Sequence, residues 1–295
     1  MTTIKNNSKG IVKTMISKIK RILYILLALS LVMACGTANT GATGTESRNW
    51  YCIRKKDHRR PPCPPELSFA ENYNGYYIDR KRSDDDADRV VYLTFDAGYE
   101  NGNVARILDT LQEKQVSGAF FILGNLINSA PDLVRRMADE GHIVANHTFH
   151  HHDMSRLDGE DFERELSSLE EAYKKATGRE MAKYYRPPEG RFSEANLKQA
   201  SALGFSTIFW SFAYADWDNE NQPNRDAALK KILENVHNGG VLLLHPTSKT
   251  NADILPQVID SLISDGYRFG TLDELCGNNT MQPRESVRTA PAPLE

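Results

Sequence analysis

Between residues 88 and 271, short β-branched or aromatic runs alternate with longer amphipathic runs, and this alternation leaves the chain few folds to choose from. Strand patterns fall at 90–95, 118–123, 142–146, 184–185, 206–210, 240–244 and 268–271. Apolar residues recur at helical spacing over 104–114, 131–140, 158–177, 193–203, 225–236 and 251–265. Gly141, Gly178, Gly204 and Gly266 stand just past helix ends, where a residue tolerant of left-handed backbone stops the helix. Strands that alternate with helices form βαβ units, whose strands run parallel. About seven repeats in roughly 190 residues suit a single α/β domain, a distorted (β/α) barrel of about seven parallel strands. An open doubly wound sheet is the alternative.

Neither common Gly-rich phosphate loop is present, so no nucleotide is expected. A formal net charge of −3 over 295 residues gives no electrostatic footprint for nucleic acid.

The N-terminus reads as a targeting segment. Lys13, Lys18, Lys20 and Arg21 precede an apolar run over 22–34 that is too short for a comfortable membrane span. The run ends at Met33-Ala34-Cys35-Gly36, which resembles the lipobox of bacterial lipoproteins and marks Cys35 for lipidation. An ordinary signal peptide or an uncleaved anchor is the alternative. Every reading places the remainder outside the cytoplasm. The expected organisation is a lipoprotein signal peptide at 1–35, a flexible linker at 36–48 and an N-terminal extension at 49–88 that packs on the barrel. The main domain follows at 89–276, and a disordered tail at 277–295. Cys52, Cys63 and Cys276 remain, of which the first two are close enough in sequence to pair.

Titratable residues collect where strands end. Asp96 follows the first strand, His147, His150, His151 and His152 the third, and Arg186 the fourth; Asp216 comes after the fifth and His245 after the sixth. In a parallel barrel these ends converge on one face. His147 and His151 have i, i+4 spacing, which on a helical turn aims both imidazoles the same way and suits two metal ligands. Arg186 precedes Pro187-Pro188, whose extended backbone could hold a guanidinium against a carboxylate. A lone histidine at a strand end, such as His245, is more often a satisfied core residue than a catalyst.

Taken together, these residues resemble the polysaccharide deacetylase family, the NodB-homology carbohydrate esterases. The likeness rests on Thr94-Phe95-Asp96-Ala97-Gly98, His147-Thr148-Phe149-His150-His151, Arg186-Pro187-Pro188, Asp216-Trp217 and Leu243-Leu244-His245, in that order. Gly98-Tyr99-Glu100-Asn101-Gly102, the run 186–194 and Leu244-His245-Pro246-Thr247-Ser248 are closer still to the branch that deacetylates muramic acid on the way to its δ-lactam.

The resemblance implies a NodB-homology barrel and a divalent metal (zinc, manganese, cobalt or magnesium) on His147 and His151. It implies Asp96 as the base that deprotonates water, Arg186 orienting Asp96 with Asp216 behind, and His245 as the acid that protonates the leaving amine. Glu189, Gly190, Trp217 and Leu243 are the implied substrate contacts. The family's usual second aspartate is here Ala97, which cannot ligate a metal. The implied partner is peptidoglycan, met at the cell wall by a lipid-anchored enzyme. The alternatives are deacetylation of N-acetylglucosamine and, from another class, an inactive glycan-binding lipoprotein, which only Ala97 favours.

Overall fold

The alternating patterns become a curled parallel sheet wrapped by helices in the computed structural model, which describes residues 44–55 and 57–277. In chain order the elements are β1 (Arg48–Asn49), β2 (Gly75–Tyr76), β3 (Arg89–Ala97), α1 (Asn103–Lys114), β4 (Ala119–Ile122), α2 (Gly124–Ser129) and α3 (Pro131–Asp139). Then come β5 (Ile143–Asn146), α4 (Gly159–Thr177), β6 (Tyr184–Tyr185), β7 (Arg191–Phe192), α5 (Glu194–Ala202) and β8 (Ser206–Ile208). The last are α6 (Arg225–Asn235), β9 (Gly240–Leu244), α7 (Lys249–Ser264), β10 (Tyr267–Phe269) and α8 (Leu272–Cys276).

The main sheet has eight strands in the order β10-β3-β4-β5-β6-β8-β2, with β9 on the other edge of β3, and every pairing in it is parallel. The seven expected strands are all there. The eighth, β2, comes from the extension at 49–88, which therefore contributes to the sheet as well as packing on it. The barrel closes onto β9 by isolated bridges, Ile78 after β2 to Gly240 and Phe212 after β8 to Leu242, where a regular ladder would run. That is the distortion in the barrel.

Period-two alternation sorts β3 between two environments. Val91, Leu93, Phe95 and Ala97 join the outer apolar cluster under the helices, with Ile107, Leu108, Val134 and Val258. Val90 and Tyr92 join an inner cluster with Phe121, Ala145 and Val241. Each fully buried large apolar side chain contributes roughly 1.5–3 kcal/mol. Thr94 and Asp96 continue the inner row, so the upper end of the barrel interior is polar.

Three expectations change. The segment 36–48 was expected to be a linker, yet its last residue, Arg48, already pairs with Phe192 in the β1–β7 ladder. Cys52 and Cys63 are both free thiols, and the Cys52 Sγ lies 3.3 Å from the Trp210 carbonyl oxygen. The short helix α2 has no counterpart in the sequence reading. Cys35 and the apolar run 22–34 lie outside the described residues. No described helix is long and apolar enough to cross a membrane.

Candidate active site

Asp96 sits at the top of β3 with little exposure, and its Oδ1 accepts a 2.7 Å hydrogen bond from Arg186 Nη1. Arg186 follows β6 and is fully buried. Its Nε donates to the Ile208 carbonyl at 2.9 Å, and its Nη2 donates to Thr94 Oγ1 at 2.9 Å and to the Phe209 carbonyl at 3.3 Å. The guanidinium also lies 4.1 Å from the Phe121 ring centre. A buried guanidinium this fully bonded cannot swing, so Asp96 is fixed by one oxygen and presents the other to the cleft. Burial alone would raise the Asp96 pKa, but Arg186, His147 and His245 outweigh it and hold the carboxyl below its ordinary range.

Asp96 Oδ2 lies 3.5 Å from His147 Nε2. His147 Nδ1 is 2.8 Å from the Arg186 carbonyl oxygen, which can only accept, so the Nδ1 carries the proton and Nε2 keeps its lone pair. Burial pushes this imidazole down to about 4, although Asp96 opposes the shift. A neutral ring with Nδ1–H on a carbonyl is the usual state of a metal-ligating histidine. The rings of His147 and His151 have centres 5.1 Å apart. These two donors fit a divalent ion, and Ala97, whose methyl is buried in the outer cluster, adds none.

Their pairing has a different cause from the one expected. Residues 147–153 form no helix, so i, i+4 spacing on a helical turn does not explain it. Positive φ at Thr148 and His151 folds the loop instead, and Thr148 Oγ1 accepts from the His151 amide at 3.0 Å. The same turn sends His150 and His152 to Glu165, away from the cleft pair.

His245 follows β9, the strand beside β3. Its Nδ1 is 2.7 Å from Asp216 Oδ1, and its amide donates to Asp216 Oδ2 at 2.9 Å. Asp216 was expected behind the Asp96–Arg186 pair; it stands behind His245. Burial alone would lower the His245 pKa, but Asp216 and then Asp96 raise it above its ordinary value. Asn251 on α7 completes this unit, donating from Nδ2 to Asp216 Oδ2 at 2.6 Å and to the His245 carbonyl at 3.1 Å.

The other expected contacts are mixed. Trp217 is 60% exposed, with its ring centre 6.1 Å from that of His245. Tyr99, part of the run 98–102 but given no role there, is also exposed, and its hydroxyl accepts from Asn219 Nδ2, tying the loop after β3 to the loop after Trp217. The Glu189 carboxylate pairs with Arg191 at 2.8 Å. Gly190 is buried with φ +67°, and its amide donates to the Pro187 carbonyl at 3.0 Å, so it serves the turn. Leu243 is buried and its amide donates to the Phe212 carbonyl at 2.9 Å. No role was expected of Thr94, Tyr99 or Asn251, because each acts through a partner distant in sequence. Thr94 and Tyr99 do stand inside the motif runs 94–98 and 98–102.

A parallel β/α barrel that brings an arginine-held aspartate and an aspartate-held histidine to one rim, with two imidazoles beside them, has the layout of a hydrolase. The sequence matches the polysaccharide deacetylase family model over residues 83–208. It is 37% identical over 254 residues to the peptidoglycan-N-acetylmuramic acid deacetylase PdaA of Bacillus subtilis, covering 86% of this chain and 95% of that protein. The solved structure of B. subtilis PdaA, a family 4 carbohydrate esterase, superposes with a TM-score of 0.74 at 38% identity, covering 78% of this chain and 97% of that one. A peptidoglycan-N-acetylglucosamine deacetylase of Bacillus cereus is 32% identical, over 63% of this chain and 67% of its own. The chain belongs to the polysaccharide deacetylase family and is a hydrolase of carbon–nitrogen bonds.

Proposed function

We propose that this enzyme removes the acetyl group from N-acetylmuramic acid in peptidoglycan, leaving an amine that can close on the lactyl carboxyl as the muramic δ-lactam. The observation that carries the chemistry is that Asp96 on β3 and His245 just after the neighbouring strand β9 are each immobilised by a partner of opposite charge. The preference for muramic acid rests on the PdaA likeness, which spans nearly the whole of that protein.

Asp96 accepts the proton of the attacking water at its free oxygen, and Arg186 holds the carboxylate still. His245, charged through Asp216, gives its Nε2 proton to the departing nitrogen. Water and amide become acetate and amine. A divalent ion on His147 and His151 would polarise the acetyl carbonyl and acidify water when bound. Zinc, manganese, cobalt and magnesium are the candidates. Trp217, beside His245, offers an apolar face to a sugar ring, and Glu189 stands exposed in the turn that follows Arg186.

Cys35 is the proposed lipid anchor, holding domain 89–276 outside the cytoplasm and facing the wall. A sporulation role follows only from the branch that the motifs resemble.

The test is mass spectrometry of defined peptidoglycan fragments incubated with the enzyme and each divalent metal. Loss of acetyl from muramic acid, with a further loss of water on cyclisation, supports the reading. Loss from glucosamine alone would replace it with the B. cereus-type activity. Membrane fractionation of Cys35→Ser tests the anchor separately, and an unchanged distribution refutes it.

A further inference from the structure

The histidine-rich turn contains two imidazole pairs that face different ways. His147 and His151 face the cleft. His150 and His152 lie near-parallel outside it, with ring centres 5.2 Å apart and planes 18° apart. Both of these Nδ1 atoms aim at one oxygen, Glu165 Oε1, at 2.6 Å from His150 and 3.4 Å from His152. Among the described residues, this trio is the one group of three histidine, cysteine or carboxylate donors whose ligand atoms all lie within 4.8 Å of one another.

We propose that His150, His152 and Glu165 form a second divalent-metal site, separate from the cleft, that ties the turn carrying His147 and His151 to helix α4. Three features support it. The carboxylate is fixed before any ion arrives: Glu165 is buried on α4, and its Oε2 accepts the amides of His150 at 2.9 Å and Phe149 at 3.1 Å. Such support of a ligating carboxylate is what a metal site needs to hold its geometry. Oε1 is left facing the two imidazoles. The two histidine–carboxylate spacings are also close to what an ion requires, since bonds of about 2.0–2.2 Å at tetrahedral angles set donors roughly 3.3–3.6 Å apart. The His152 contact already has that value, and His150 needs to open by less than about 1 Å. Finally, the imidazole side chains are 58% and 57% exposed, so solvent can enter and complete the coordination.

Two imidazoles and one carboxylate select zinc, nickel, copper or cobalt over magnesium or calcium. The bound ion would join the turn to α4 directly, in addition to the amide contacts that Glu165 already makes. The outer site's effect on the cleft is therefore to stiffen the turn from behind.

The experiment is zinc titration by calorimetry on the full chain, with thermal unfolding in parallel. Wild type, His150→Gln/His152→Gln and His147→Ala/His151→Ala are compared. The outer double variant should lose one bound zinc per chain and the zinc-dependent rise in Tm. The cleft double variant should keep both. An outer variant whose isotherm matches wild type overturns this site while leaving the proposed function intact. A cleft variant that binds no zinc overturns it as well. Retention of one zinc by the cleft variant, beside only one in wild type, supports the outer site and removes the ion from the proposed mechanism. Copper on the cleft variant, read by electron paramagnetic resonance, gives a check that does not need the outer variant to fold. Coupling to two imidazole nitrogens is expected, and its absence refutes the site.

Discussion

Replacing Asp216 with Asn changes one buried atom from an acceptor to a donor, and the surrounding contacts dictate how the site responds. Asp216 Oδ2 accepts from the His245 amide and from Asn251 Nδ2. Asn251 cannot flip to relieve a clash, because its Nδ2 also donates to the His245 carbonyl, which can only accept. The new amide must therefore turn its oxygen toward those two donors and its NH2 toward His245 Nδ1. That nitrogen then has to accept, the neutral ring carries its proton on Nε2, and protonating Nδ1 would break the new bond. Burial is the largest influence on His245 and pushes its pKa down; Asp216 reverses it, so the variant should fall below the ordinary histidine value. His245 must be protonated to act as the acid. Wild type loses activity as pH rises through the raised pKa, and the variant should lose it at lower pH. General acid catalysis is worth about 10²–10⁴ in rate, or roughly 3–5 kcal/mol of barrier. The loss should appear in kcat with KM little changed, measured as acetate release from a defined glycan fragment across neutral pH. Nitrogen NMR of the labelled histidine would report the tautomer. A variant within about threefold of wild-type kcat, with an unmoved alkaline limb, would refute the assignment of His245 and Asp216 as the acid unit.

Asp96→Asn should abolish acetate release while the protein still binds glycan, and turnover near wild type would remove Asp96 as the base. Arg186→Lys keeps the charge but cannot reproduce the bonds to Ile208, Thr94 and Phe209 together. It should cost on the order of 3 kcal/mol in stability and lower Tm by roughly 6–12 °C, checked by calorimetry. Gly190→Ala would put a methyl 2.7 Å from the Trp210 ring at φ +67°, so unfolding should show a loss of about 2–3 kcal/mol. An unchanged Tm would mean that the turn gives way easily.

The sequence by itself determined the strands and long helices, since each depends on a pattern within its own ten or twenty residues. β9 and β6 have the limits that their apolar runs suggest. The motif residues were legible for the same reason: Asp96 and His245 each end such a run. Helix α2, six residues long, is too short to show a period, and β2 exists only because β8 pairs with it. The partners of the charged groups could not be read at all. Asp216 lies in a stretch without periodic pattern, so nothing local distinguishes a place behind Arg186 from one behind His245. The four clustered histidines look equivalent in the sequence. Positive φ at Thr148 and His151, held by contacts to Asn146 and Glu165, is what turns one pair into the cleft and the other away. Local periodicity fixes where a strand ends; which side chains then share a hydrogen bond depends on how distant strands are set beside one another, and only the tertiary structure decides that.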